Sequence, residues 1–253
     1  DLVLSGFADS PLLGSGVTRL YRNDAGRLTE VAVGLPGTYY GDVDWLDYDA
    51  DGDLDVVLSG RREPFGPSVT FACTQTVVAA FECGQIQVVG LGAQPVPGLS
   101  YSTVSWADYD HDSDLDLFVT GDPGGDDAFT TFYRNSGPGR NIPPLPPEGL
   151  QALVAGTSVT LSWNPAIDPN SPSPALRYSV RVGTSPGGVD IVSPHADPIE
   201  GTRYVLDGGN AGHGLDFRLR SLSPGTYYWS VQAIDNSFAG SPFAADQSFT
   251  VGG

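Results

Sequence analysis

Two runs of aspartate at every second position constrain this chain more than any other feature. They are Asp47-Tyr48-Asp49-Ala50-Asp51-Gly52-Asp53-Leu54-Asp55 and Asp108-Tyr109-Asp110-His111-Asp112-Ser113-Asp114-Leu115-Asp116. Carboxylates this dense repel one another unless a cation gathers them. Calcium takes about six to eight hard oxygen ligands, and one tight loop can supply them. Positions one, three and five offer side-chain oxygens, position seven its carbonyl, and position nine a closing carboxylate. Gly52 at position six permits the sharp turn by accepting positive φ. An EF-hand would place Glu at position twelve and continue into a helix. Position twelve is Leu58 in one run and Val119 in the other, and both runs lead into apolar, β-branched strands. The competing reading is a pair of solvated acidic turns, which does not account for the same spacing occurring twice. Ser113 replaces the glycine in the second loop, where positive φ costs about 1 kcal/mol, so that loop is expected to bind more weakly. His111 is expected to face solvent.

The loops belong to a longer repeat. Asp1-Leu-Val-Leu-Ser-Gly6, Asp55-Val-Val-Leu-Ser-Gly60 and Asp116-Leu-Phe-Val-Thr-Gly121 match one another, with starts 54 and 61 residues apart. Trp45-Leu-Asp-Tyr-Asp49 and Trp106-Ala-Asp-Tyr-Asp110 precede the last two, and Leu20-Tyr-Arg-Asn23 and Phe132-Tyr-Arg-Asn135 follow the first and last. Short alternating strands at this period fit a four-stranded propeller blade. The strands expected are Tyr40 to Leu46, Leu54 to Ser59, one ending in Tyr-Arg-Asn, and Arg27 to Val33. Asp1 holds the last position of an aspartate loop, which predicts a chain that begins in mid-repeat, with upstream blades missing. In the middle repeat, matching Trp106 to Trp45 sets Phe81-Glu82-Cys83 opposite Tyr21-Arg22-Asn23 and leaves an insertion at about residues 62–78. A Cys73–Cys83 disulfide would pin that insertion to a strand. The alternative is two separate buried thiols.

The stretch Trp45 to Asp55 resembles the FG-GAP or VCBS repeats of integrin-α-type propellers, and the resemblance covers roughly residues 1–140. Such propellers are typically seven-bladed and hold calcium in the hairpin between the first two strands of a blade. The resemblance implies Asp47, Asp49, Asp51, Asp53 and Asp55 as ligands of one site, and Asp108, Asp110, Asp112, Asp114 and Asp116 as ligands of the other. The chain spells only about two to two and a half blades, too few to close a ring.

Residues 136–148 are a Pro-rich spacer, and the reading places propeller repeats in 1–142 and a second domain in 143–253. The latter carries about seven short strands between turn clusters, as a Greek-key β-sandwich requires. They are Gln151–Leu153, Ser158–Trp163, Arg177–Val182, Tyr204–Leu206, Asp216–Leu222, Gly225–Ala233 and Gln247–Val251. Trp163 is expected between the sheets. Leu222-Ser-Pro-Gly-Thr-Tyr-Tyr228 reads as a tyrosine corner, with Tyr227 and Tyr228 both candidates. This segment resembles fibronectin type III modules. The expected fold class is therefore all-β throughout.

A net charge of −18 argues against nucleic acid and anionic membrane surfaces, and no apolar run reaches the length of a membrane span. A chain without methionine reads as a mature product or a fragment, so the missing signal peptide is uninformative. No enzyme signature emerges. His111, His195 and His213 lack metal spacing, His195 reads as a surface-loop residue, and nucleophile-elbow and phosphate-loop motifs are missing. Carboxylate pairs for glycoside hydrolysis are not separable from the calcium ligands. Asp126-Asp127 reads as a solvated turn. The expectation is a non-enzymatic extracellular, secreted or cell-surface, binding or adhesion module for a protein or glycan ligand. The alternative is an accessory region of a larger secreted polysaccharide-active enzyme.

Overall fold

The structure, a computed structural model, describes residues 1–8, 14–77, 80–86, 95–124, 128–135 and 141–252. Apart from one 3-10 turn at Ser173–Ala175, its regular elements are antiparallel strands in small sheets, none closed into a barrel. The chain divides into two compact units, Asp1–Arg140 and Asn141–Gly253. Part of the Pro-rich spacer (136–140) and the Asp126-Asp127 turn lie outside the described residues.

The first unit holds three meanders. One comprises β1 (Leu2–Ala8), β2 (Ser15–Asp24) and β3 (Arg27–Val31). The second comprises β4 (Val43–Leu46), β5 (Asp55–Arg61), β6 (Ser68–Val77) and β7 (Ala80–Gln85), and the third β8 (Ser100–Ala107), β9 (Asp116–Asp122) and β10 (Phe129–Tyr133). Ala25 and Gly26 join β2 to β3 with φ of 54° and 92°, the two positive values that match the turn to the strands' right-handed twist. Apolar residues of β1 and of the continuously buried β5 drive the packing: Val3 meets Val56, Leu58 and Cys73 in one buried cluster.

Register corrects the sequence reading of the middle repeat. Leu2 pairs with Tyr21, and its repeat counterpart Val56 pairs with Cys73. The counterpart of Tyr21-Arg22-Asn23 is therefore Cys73-Thr74-Gln75, and Phe81-Glu82-Cys83 sits one strand further on, in β7. Residues 68–77 are a paired strand, not an insertion. The extra length of this repeat falls after β7, because pairing with β5, and not aromatic character or Trp spacing, fixes which residues correspond. Cys73 and Cys83 are cross-strand partners and are disulfide-bonded. Closing this short loop contributes about 3 kcal/mol in the chain-entropy model. Cys73→Ser/Cys83→Ser should lower the first unit's denaturant stability by about that amount, and urea titration reads it directly.

Tyr40 and Tyr101 are 61 residues apart, at the same repeat position, and both have positive φ, 54° and 48°. For bulky side chains that conformation costs about 1–2 kcal/mol each. Their rings stack on one another, which offsets only about 0.5–1.5 kcal/mol.

The second unit has sheets β11-β12-β14 and β13-β15-β16, formed by β11 (Gln151–Ala155), β12 (Ser158–Ser162), β13 (Arg177–Gly183), β14 (Asp216–Leu219), β15 (Gly225–Ile234) and β16 (Gln247–Val251). Their inward residues form one core around Trp229, Trp163 and Tyr178, consistent with a β-sandwich. Six strands stand where seven were expected. Tyr204–Leu206 is a loop, because Tyr204 donates its N–H to the His195 carbonyl and Arg203 ion-pairs with Asp207. The Tyr204–His195 bond flanks an isolated antiparallel bridge, Ala196 to Arg203, that does not extend into a ladder. The corner is settled by Tyr227, whose hydroxyl donates to the Ser223 carbonyl at 2.9 Å.

Candidate metal centre

Each aspartate loop spans the turn between the first two strands of its sheet. In the first, Asp47 is buried and acts as the hub: Oδ1 accepts the Asp51 N–H and Oδ2 the Gly52 N–H, both at 3.1 Å. Gly52 takes φ of 94° to bring its N–H inward. Asp55, fully buried, closes the loop, with Oδ2 accepting from Tyr48 N and Oδ1 from Gln75 N, each at 2.8 Å. The second loop repeats the scheme. Asp108 accepts from Asp112 and Ser113, and Asp116 from Tyr109 and Asn135. Ser113 adopts φ of 75°, so serine does take the strained conformation that glycine holds in the first loop. His111 is exposed. In the first sheet, Asp1 accepts the Asn23 N–H, the same bond as Asp55 to Gln75 and Asp116 to Asn135. The last aspartate of each loop therefore also fastens β1, β5 or β9 to the end of the neighbouring strand.

Three carboxylates converge in each loop. Oxygens of Asp47, Asp49 and Asp55 lie within 4.8 Å of one another, as do those of Asp108, Asp110 and Asp116. Asp51, Asp53, Asp112 and Asp114 stand outside these convergences. Asp51 and Asp112 instead accept the N–H of Asp53 and Asp114. Burial raises Asp55 to about 7, against the opposing N–H groups of Gln75 and Tyr48. Burial likewise raises Asp49, Asp53, Asp108 and Asp116. Neighbouring carboxylates push Asp49, Asp53, Asp55 and Asp116 the same way. These groups are held in a state that a proton or a cation relieves.

The donor set fits a hard cation. Asp110, one of the converging residues, has its Oδ1 hidden from solvent and accepting no hydrogen bond, a condition that is unfavourable for a carboxylate oxygen and suits an oxygen ligand of a hard cation. Asp53 Oδ1, outside the first convergence, is hidden in the same way. Backbone N–H groups occupy Asp47 and Asp55, so these shape the loop as much as they offer charge.

The loops differ in a way that the sequence reading missed. Arg134 ion-pairs with Asp110 through Nε and with Asp112 through Nη2, while the register-equivalent residue beside the first loop is Thr74. The recurring Tyr-Arg-Asn motif at Arg22 and Arg134 was the available signal. A guanidinium on the ligand carboxylates competes with any cation, so Arg134→Gln should tighten the second site roughly three- to tenfold, from about 1 kcal/mol of relieved competition. Calcium titration of this variant against wild type checks it.

No family model matches the chain. Among solved structures, the crystal structure of chicken CNTN1 FN1-FN3 domains is similar at 10% sequence identity and a TM-score of 0.34, over 93% of this chain and 77% of that chain. That likeness is too distant to assign the fold of either unit. Among the described residues, no helix is long and apolar enough to cross a membrane.

Proposed function

We propose that this chain is an extracellular, calcium-binding adhesion or binding module without catalytic activity of its own. In this reading, residues 1–140 are FG-GAP or VCBS repeats that form propeller blades, and residues 141–253 are a fibronectin type III-like spacer or docking domain. The observation that carries it is the repeated convergence of three carboxylates in one main-chain cradle, at Asp47, Asp49 and Asp55 and again at Asp108, Asp110 and Asp116. Calcium, when bound, supplies positive charge and multiple coordination to oxygens that otherwise repel. Asp51, Asp53, Asp112 and Asp114 complete the ligand sets that the repeat resemblance implies.

What the residues themselves do is mechanical. Asp55 and Asp116 tie the loop to the end of the neighbouring strand, so a cation held by them stiffens the hairpin and the strand pairing together. The stiffened unit presents its loops to a protein or glycan ligand. A disulfide between Cys73 and Cys83 supports an oxidising, extracellular setting. Limited proteolysis tests the rigidifying role. Millimolar calcium should slow cleavage within residues 1–140 at least tenfold relative to chelator, and Asp47→Asn/Asp108→Asn should cancel that protection. Equal cleavage with and without calcium removes the proposed role.

A further inference from the structure

We infer that the stacked pair Tyr40–Tyr101 is a binding platform for the pyranose ring of a neutral glycan, with Arg61 as its hydrogen-bonding partner. The two rings lie nearly parallel, 19° apart with centroids at 4.9 Å. Tyr39 and then Phe7 continue the run behind Tyr40, at 4.8 and 5.0 Å. Tyr39 is buried, but Tyr40 and Tyr101 remain 55% and 65% exposed. Tyr101 has one face on Tyr40, so exposure of this size leaves its other face to solvent. No other ring meets it among the described residues.

Three features separate this pair from incidental surface tyrosines. Both residues are held at positive φ, with the Tyr101 N–H donating to the Tyr40 carbonyl. Glycine would satisfy that backbone without strain, yet tyrosine stands there in both repeats, and the ring stack returns less than the strain of two such residues. The side chains are exposed, so core packing does not explain them either. Unlike the turn residues Ala25 and Ser113, these two tyrosines have large exposed side chains at strained positions, the kind of outlier from which a functional hypothesis starts. Second, the backbone beneath is locked: a Cβ on Gly41 would come within 2.1 Å of the Ser59 carbonyl oxygen, and Gly60 has φ of 131° under Tyr39. Third, Arg61 is bonded through its main chain to Tyr39 and through Nε to Ser100 Oγ at 3.4 Å, next to Tyr101. Its Nη1 and Nη2 have no partner among the described residues.

A flat aromatic face, with unused N–H donors on a guanidinium that reaches the adjoining Ser100, matches a pyranose, whose C–H face is drawn to the negative ring face while its hydroxyls accept from the guanidinium. Arg61 disfavours a cationic ligand at this spot, and the chain's charge of −18 disfavours phosphorylated or sulfated ones. The inference rests on the reading above that the first unit presents a ligand surface, and it names the ligand's chemistry.

Affinity electrophoresis of the full chain in calcium, through gels containing β-glucan, xylan, galactomannan or glycol chitin, tests it. At least one polysaccharide should retard wild type, Tyr101→Phe should be retarded within threefold of it, and Tyr101→Gly should lose retardation at least tenfold. Because glycine relieves the strained backbone, Tyr101→Gly should also melt no lower than wild type, an outcome that a merely structural tyrosine would not give. Calcium-dependent melting of each protein reports the metal sites separately. No retardation by any of the four gels, with the calcium-dependent melting intact, overturns the platform and leaves the calcium reading standing. Retardation unchanged by Tyr101→Gly overturns it as well.

Discussion

In a calorimetric scan, excess chelator should lower the melting transition of residues 1–140 by about 10–20 °C relative to 10 mM calcium, while the transition of residues 141–253 stays within about a degree. Extracellular calcium modules bind at about 10⁻⁴–10⁻³ M, so 10 mM calcium adds roughly 1.4–2.7 kcal/mol for each occupied site. Two sites give about 3–5 kcal/mol, and a unit of this size moves by about 4 °C per kcal/mol. The second unit has its own core around Trp229 and, among its described residues, no cluster of three carboxylates. Its transition is the internal control. A shift shared equally by both transitions would mean that calcium acts on the chain generally, through its net charge, and not through the loops.

The second large effect is a change in the sign of the pH dependence. Without calcium, the first unit should lose stability as pH rises from about 4 to 7 and level off above that. Asp55 is held at about 7 by burial, far above its ordinary value. A group raised on folding contributes stability that is complete below the ordinary carboxylate range and is lost as pH climbs through its folded value. Asp49, Asp53, Asp108 and Asp116 are raised in the same direction. At about 1.4 kcal/mol per pH unit of displacement, Asp55 alone accounts for about 4 kcal/mol at most. With calcium present the slope should reverse, because protons and the cation compete for the same oxygens and calcium gains as the protons leave. Melting temperatures at pH 5, 6, 7 and 8, with calcium and with chelator, give both slopes. Parallel slopes would show that the buried carboxylates titrate without reference to calcium.

The parts of this structure that were legible in the sequence are those fixed by local chemistry. Alternating apolar residues mark β12, β13 and β15 within a residue or two of their ends. The glycine at Gly52 and the serine at Ser113 both mark left-handed turns, because a repeated nine-residue loop requires the same backbone twice. The tyrosine corner was legible to within one residue, and only the hydroxyl's reach to the Ser223 carbonyl selects Tyr227. What was hidden depends on pairing across distance. The assignment of residues 68–77 to a strand follows from register with β5, and polar Thr and Gln in that stretch weaken its pattern. Arg134 on Asp110 and Asp112 joins residues more than twenty apart. At Tyr204–Leu206 the apolar pattern suggests a strand, but the Arg203–Asp207 pair and the His195 carbonyl hold a loop. The stack of Tyr40 on Tyr101 required two repeats to be laid side by side before their common position had meaning.

The central claim is that the aspartate loops bind calcium, and isothermal titration of the whole chain with calcium tests it most directly. The expected result is two ions per chain for wild type, the tighter lost in Asp47→Asn, the weaker in Asp108→Asn, and both in the double variant. Titration that releases no heat, or a stoichiometry indifferent to all three variants while the first unit remains folded, would contradict it.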